Sequence, residues 1–185
     1  METTGLSPYF HKITEVAAVK LRKGSIIDEF QTLVNPECRI PRFITGLSGI
    51  SNEMVKTAPK IQKILPSFHD FLSDNPFVAH NAWFDHSFLN VASKRILDKG
   101  LDNDLLCTVK LSRQLLPDLP RRNLGALCSH LNIRNDQAHR ALSDVKATSQ
   151  VFSHFLNMLE RRGINEYRDI LEVQQGKLQP SKLIS

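Results

Sequence analysis

The stretch ITEVAAVKLRKGSIIDEFQTLV, residues 13–34, decides the fold class. Its two halves, residues 13–21 and 26–34, are rich in β-branched side chains and flank a glycine-containing turn. This pattern is typical of a β-hairpin. A proline-rich segment, residues 34–43, follows and is expected to end the second strand. We therefore expect two antiparallel strands in this part of the chain.

Beyond the hairpin, apolar periodicity alternates between the helical and the strand type. Ser51 is expected to be the N-cap of a short helix. Helical spacing covers residues 60–72, 84–97, 109–116, 123–131, 139–163 and 164–173, and short buried strands are expected at 77–80 and 105–108. The long helix is expected to end at Gly163, a typical C-terminal glycine. This order predicts an α/β sheet with helices on its faces.

The composition fits one globular domain. At 185 residues, the chain can build one substantial core but not two ordinary domains. Hydrophobic residues make up 41% and charged residues 23%, which argues against disordered, coiled-coil and fibrous proteins. No apolar run approaches the roughly 20 residues of a membrane span, and the N-terminus does not resemble a signal peptide. We expect a cytoplasmic protein without a membrane partner. The net charge of +5 would suit a polyanionic partner.

The three cysteines predict neither a disulfide framework nor a zinc site. Cys38, Cys107 and Cys128 stand far apart, without a CxxC pair. We expect them to be small buried side chains.

Two acidic residues occupy positions where a buried apolar side chain is expected. Asp85 lies on the apolar stripe of the helix near residues 84–97, and Asp144 lies on the corresponding stripe of the long helix. Asp85 could alternatively be a helix N-cap, and Asp144 could take part in a structural salt bridge. An unpaired buried carboxylate is costly, so paired or metal-bound carboxylates are expected at both positions.

Glu2 belongs to the same group, because it precedes a turn at the end of an expected strand. Three carboxylates brought together from separate segments repel one another unless divalent cations lie among them. Glu2, Asp85 and Asp144 are therefore candidate ligands of Mg²⁺ or Mn²⁺. His139 precedes Asp144 by five positions and could take a proton from water near neutral pH. The alternative is that His139 is an ordinary surface histidine.

Three motifs carry a resemblance to a known family. ETTG at Glu2, HNAWFD ending in Asp85 and HRALSD from His139 to Asp144 resemble the exonuclease motifs of the DEDDh family. This is the DnaQ-like group, which includes the proofreading epsilon subunit of bacterial DNA polymerase III. The resemblance runs from Met1 to about Leu159. It implies a ribonuclease-H-like fold, a mixed five-stranded sheet flanked by helices.

The same resemblance implies an activity and a set of roles. We expect a metal-dependent 3′-to-5′ exonuclease that removes nucleotides from DNA ends with two Mg²⁺ or Mn²⁺ ions. Glu2, Asp85 and Asp144 match metal-ligand positions, and His139 matches the general base. Positions that border the terminal nucleotide are Thr3, Thr4, Leu6, His80, Asn81 and Phe84. The expected substrate is a single-stranded DNA 3′ end, with RNA as an open alternative, and the expected protein partner is a DNA polymerase subunit.

The chain departs from the family pattern at its first motif. The family has Asp-x-Glu at the end of its first strand, and Met1 takes the x position here. We therefore expect the domain, residues 1–162, to lack most of its first strand and one metal ligand. Residues 163–185 are expected to be a C-terminal extension or linker. The departure keeps a second hypothesis open, a catalytically impaired module that binds nucleic acid or a polymerase partner.

Overall fold

The chain begins with three strands, and the helices that follow are interrupted by two further strands. The computed structural model describes residues 1–135 and 140–180. Its strands are β1 (Glu2–Thr3), β2 (Ile13–Arg22), β3 (Ser25–Leu33), β4 (Phe77–Ala79) and β5 (Leu105–Cys107). Its helices are α1 (Arg42–Ser48), α2 (Asn52–Lys56), α3 (Ile61–Leu72), α4 (Ala82–Leu97), α5 (Thr108–Leu115), α6 (Leu124–His130), α7 (Ala141–Glu160) and α8 (Tyr167–Gln174). This order confirms the α/β class.

The predicted hairpin is confirmed. Strands β2 and β3 pair in antiparallel fashion along most of their length. Between them, Lys23 and Gly24 both have positive φ, 51° and 77°. This backbone shape suits a two-residue hairpin loop, because its twist matches that of the flanking strands.

The strands form two hydrogen-bonded sheets within the described residues. One has the order β1–β2–β3, with β1 antiparallel to β2 and Glu2 opposite Glu15. The other contains the parallel pair β4 and β5, with Phe77 opposite Leu105. The expected mixed sheet is thus divided into an antiparallel and a parallel part. Strand β1 contributes only two residues, and these pair with β2.

Most predicted helices are present, with two differences. Helix α1 was not expected, since its N-cap is Pro41, which provides no side-chain hydrogen bond within the described structure. Helix α7 ends at Glu160, three residues before the expected Gly163. Gly163 instead has a φ of 75° in the following turn and donates its amide hydrogen to the carbonyl oxygen of Glu160. Ser51 caps α2 as expected, accepting a hydrogen bond from the Met54 amide.

Two main apolar clusters hold the described elements together. One joins α5, α6, α7 and α8 around Leu111, Leu127 and Phe155. The other joins β2, α3 and α4 around Val16 and Leu65. No helix in residues 1–135 or 140–180 combines the length and apolar character needed to cross a membrane.

The cysteines are only partly as expected. Cys107 and Cys128 are buried, whereas Cys38 is exposed. The prediction of burial was therefore wrong for Cys38, which lies in the proline-rich segment after β3 and not in a core-facing element.

Helix α8 lies in the segment expected to be an extension or linker, and it packs on the same core as α5 to α7. Its Ile170 and Val173 are buried there. The Gln174 side chain accepts a hydrogen bond from the Cys107 amide at 3.0 Å and donates one to the Leu105 carbonyl at 2.8 Å. Gln174 thereby occupies the free edge of β5 as a neighbouring strand would. The domain boundary at residue 162 stays a prediction.

Replacing Gln174 tests how much this edge contact stabilises the fold. We expect Gln174→Ala to lower the free energy of unfolding by about 1–3 kcal/mol, because two buried backbone groups of β5 lose their partners. Urea unfolding followed by circular dichroism measures the change. The neighbouring Gln175 is exposed, so Gln175→Ala is the matched control. Equal stabilities of the two variants would contradict the role assigned to Gln174.

Candidate active site

Helix α4 brings Asp85 to the site directly after strand β4. Asn81 has a φ of 59° and is the N-cap of α4, so Asp85 lies within the first turn. The alternative that Asp85 is itself the N-cap is therefore wrong. The Asp85 side chain is 18% exposed, and one of its oxygens lies 3.4 Å from the Met1 ammonium nitrogen. Burial raises the pKa of Asp85, and the Met1 ammonium opposes that rise.

Glu2 lies within electrostatic reach of the other acids. The pKa of Glu2 is raised from an ordinary value of 4.5 to about 7, chiefly because of burial; the Met1 ammonium opposes the rise, and the charges of Asp144, Glu15 and Asp85 add to it. Negative charges near a carboxyl group disfavour its charged form. Asp144, Glu15 and Asp85 therefore act electrostatically on Glu2, and a joint role of Glu2, Asp85 and Asp144 as metal ligands stays a prediction.

Asp144 lies in the first turn of the long helix α7. One of its carboxylate oxygens accepts a hydrogen bond from the Asn135 amide nitrogen at 3.0 Å. Asn135 also accepts a hydrogen bond from the Ser143 hydroxyl at 2.8 Å. Asn135 is thus hydrogen-bonded to two residues of the first turn of α7, Ser143 and Asp144.

Glu15 is a buried acid that the sequence analysis did not identify. It lies on β2 directly opposite Glu2 and is only 1% exposed. Its carboxylate accepts hydrogen bonds from the Gln31 side chain at 2.9 Å and from the Ala141 amide at 3.2 Å. A guanidinium nitrogen of Arg140 lies 3.8 Å away. The available signal was a lone charge inside the apolar run ITEVAAV.

In the Thr-Thr-Gly turn after Glu2, both threonine hydroxyls form hydrogen bonds with backbone groups. The Thr3 hydroxyl donates to the Gly5 carbonyl at 2.6 Å, and the Thr4 hydroxyl accepts from the Lys12 amide at 2.9 Å. Both threonines are buried, whereas Leu6 is 83% exposed. The turn therefore presents an apolar side chain to solvent beside the acids.

His80 and Asn81 lie at the end of β4. The His80 ring nitrogen Nδ1 is 2.9 Å from the Thr108 hydroxyl oxygen, which follows the parallel strand β5. Burial lowers the pKa of His80, so its neutral form is favoured. Asn81 is exposed, and the Phe84 ring packs on Phe88 with centroids 5.1 Å apart. Phe84 thus contributes to the core, and its place beside the substrate stays a prediction.

The described residues do not form a preassembled metal cluster. No group of three His, Cys, Asp or Glu side chains in residues 1–135 and 140–180 is arranged to hold a metal ion. His139 lies outside the described residues, so its role as a general base stays a prediction.

The raised pKa of Glu2 predicts a pH-dependent stability. A folded pKa of about 7 against an ordinary 4.5 means that the folded chain binds this proton more tightly. The Glu2 carboxyl therefore does not oppose folding below pH 4.5, and opposes it increasingly up to about pH 7. In EDTA, we expect Glu2→Gln to raise the free energy of unfolding at pH 8 by about 1–2 kcal/mol and to leave it nearly unchanged at pH 4. The magnitude at pH 8 is reduced because solvent screens the partly exposed Glu2 carboxylate.

Urea unfolding across that pH range measures this difference. Glu160 is exposed, so Glu160→Gln is the control and should follow the unsubstituted chain at every pH. A constant difference between Glu2→Gln and the unsubstituted chain would contradict the assigned pKa.

Known proteins share both the sequence pattern and the fold. The chain is 41% identical over 173 residues to a PolC-type DNA polymerase III from Caldanaerobacter subterraneus subsp. tengcongensis, a match covering 94% of this chain and 12% of that protein. The chain therefore spans about an eighth of such relatives. Exonuclease X in complex with 5′ overhanging duplex DNA is 28% identical, with a TM-score of 0.68 over 84% of this chain and 87% of that one.

A second solved structure shares the fold at lower identity. The nuclease domain of 3′hExo, a DEDDh family member bound to rAMP, is 21% identical with a TM-score of 0.65, over 82% of this chain and 84% of that one. The ribonuclease-H-like fold expected from the motifs is thereby confirmed. The RNase_T exonuclease model matches residues 1–152. This chain therefore belongs to the RNase_T exonuclease family, with the DEDDh exonucleases among its structural relatives.

Proposed function

We propose that this chain is a metal-dependent 3′-to-5′ exonuclease that removes nucleotides from DNA 3′ ends, as in proofreading by DNA polymerase III or in repair. The observation that carries the proposal is the electrostatic coupling of Glu2, Asp85 and Asp144, three acids from separate segments, in a chain of an exonuclease family. A buried group of like charges is costly unless a cation enters it.

The donor set suits a hard divalent cation. Family membership implies divalent metal ions, and carboxylate oxygens are the ligands that Mg²⁺ and Mn²⁺ prefer. Glu2, Asp85 and Asp144 would hold them, after side-chain adjustment. Two such ions would lower the pKa of the attacking water and stabilise the leaving 3′ oxygen. The relief of repulsion among the carboxylates would favour their binding.

The remaining site residues are proposed to position the 3′ end. The Thr3 and Thr4 hydroxyls hold the turn in shape, so that its backbone groups and the exposed Leu6 can contact the terminal nucleotide. His80, Asn81 and Phe84, at the start of α4, would border the same nucleotide. His139 would take the proton from the attacking water.

The relatives support the proposed substrate, protein partner and cellular location. Exonuclease X was solved with overhanging duplex DNA, which supports a DNA end as substrate, whereas rAMP bound to 3′hExo keeps RNA as the alternative. PolC-type relatives support association with a DNA polymerase subunit and a cytoplasmic site of action. We further propose that residues 1–162 contain the nuclease domain and that residues 163–185 form an extension of it.

Removing one candidate ligand tests the activity. We expect Mg²⁺-dependent shortening of a 5′-labelled single-stranded DNA from its 3′ end, and Asp144→Ala should reduce the rate by at least about 10³-fold, because a metal ligand is lost. Gel electrophoresis of the products measures both rate and polarity. Asp102 is exposed in the loop before β5, so Asp102→Ala is the control and should retain the full rate.

The opposite result supports the second hypothesis. Binding of the DNA without any Mg²⁺- or Mn²⁺-dependent shortening would indicate a module that has lost catalysis. Shortening that persists unchanged in Asp144→Ala would contradict the proposed site.

A further inference from the structure

The long helix α7 receives its N-terminal cap from a distant strand. Its own N-cap residue, Arg140, makes no side-chain hydrogen bond to the helix within the described structure. The first helical amide, that of Ala141, instead donates to the Glu15 carboxylate at 3.2 Å, across 126 positions of the chain. The Arg140 guanidinium lies 3.8 Å from the same carboxylate. Glu15 therefore holds both residues at the junction where α7 begins.

Glu15 also lies next to Glu2, because its strand β2 pairs with β1, which carries Glu2. Glu15 and Glu2 are direct partners in the β1–β2 pairing. Asp144 lies three positions after Ala141 and donates its own amide hydrogen to the Arg140 carbonyl. Glu15 thus connects the β1–β2 pair, with one candidate ligand, to the first turn of α7, with another.

We propose that Glu15 is a positioning residue that sets the first turn of α7, and with it Asp144, against Glu2 for metal binding. The inference rests on the proposed function, because it concerns the same carboxylates. A side chain that only filled the core would not require a charge at this position, since a well-packed apolar residue commonly stabilises a fold as well as a buried ion pair does. A carboxylate at a helix N-terminus accepts directional hydrogen bonds from the first amide groups, and its charge interacts favourably with the helix dipole.

The contacts of Glu15 define what each replacement would remove. Glutamine retains an oxygen that can accept from the Ala141 amide, and it loses the charge that pairs with Arg140. Leucine loses both. A second connection offers a matched control, because Glu29 on β3 pairs with Lys146 on α7 at 2.8 Å, with both side chains 41% exposed. Exposed pairs contribute little to stability or position.

Three readouts follow the proposed role, and only nucleotide release needs catalysis. Amide hydrogen exchange at Ala141 reports the anchoring of α7. Calorimetric titration with Mn²⁺ alone, with Mg²⁺-dependent nucleotide release as a parallel assay, reports how well the ligands are held. We expect Glu15→Gln to keep the fold and to weaken Mn²⁺ binding on the order of tenfold, as loss of a residue that orients metal ligands commonly does. High Mg²⁺ should restore most of its rate.

The other variants complete the test. Glu15→Leu should also expose the Ala141 amide to faster exchange, whereas Glu29→Gln should match the unsubstituted chain in every readout. Unchanged Mn²⁺ affinity in Glu15→Gln would overturn the inference, as would its failure to fold, which would show a role in stability alone. If the unsubstituted chain binds Mn²⁺ but releases no nucleotide, the proposed function is wrong. The positioning role of Glu15 is then still tested by the Mn²⁺ affinity and by the exchange rate of the Ala141 amide.

Discussion

Negative charge gathered in one partly buried place is the constraint on which the rest of the site depends. Glu2, Glu15, Asp85 and Asp144 come from β1, β2, α4 and α7, and the charges of the other three raise the pKa of Glu2. Proteins seldom tolerate such crowding without a compensating cation. The Met1 ammonium, the Arg140 guanidinium and a few amides offset part of this negative charge. The remaining repulsion is what a divalent ion would relieve.

The fold holds these acids in place by connections between distant segments. The left-handed turn at Asn81 starts α4 immediately after β4, which places Asp85 at the strand end. Helix α7 packs on β2, and its first amide is capped by Glu15. At the opposite flank, Gln174 of α8 occupies the edge of β5, the strand parallel to β4. Each carboxylate therefore lies on a helix or strand whose end is held in place by contacts with another segment.

The sequence predicted the parts of this arrangement that have a local signature. Asp85 and Asp144 stood out because an acid on the apolar stripe of a helix breaks a 3.6-residue pattern. Glu15 was missed because residues 13–17 are all buried, so strand alternation could not show that this side chain meets α7. Helix α1 was missed for lack of a capping side chain. The first motif predicted that most of the first strand is missing, whereas no local pattern predicted that the strands would pair as two separate sheets.

The central claim is that these coupled carboxylates form a divalent-cation site. Anomalous diffraction at the manganese edge, from crystals of the unsubstituted chain equilibrated with Mn²⁺ near pH 8, tests it most directly. The account predicts anomalous peaks within direct ligand distance of the carboxylate oxygens of Glu2, Asp85 and Asp144. Peaks only at exposed acids elsewhere, or none at all at saturating Mn²⁺, would contradict it.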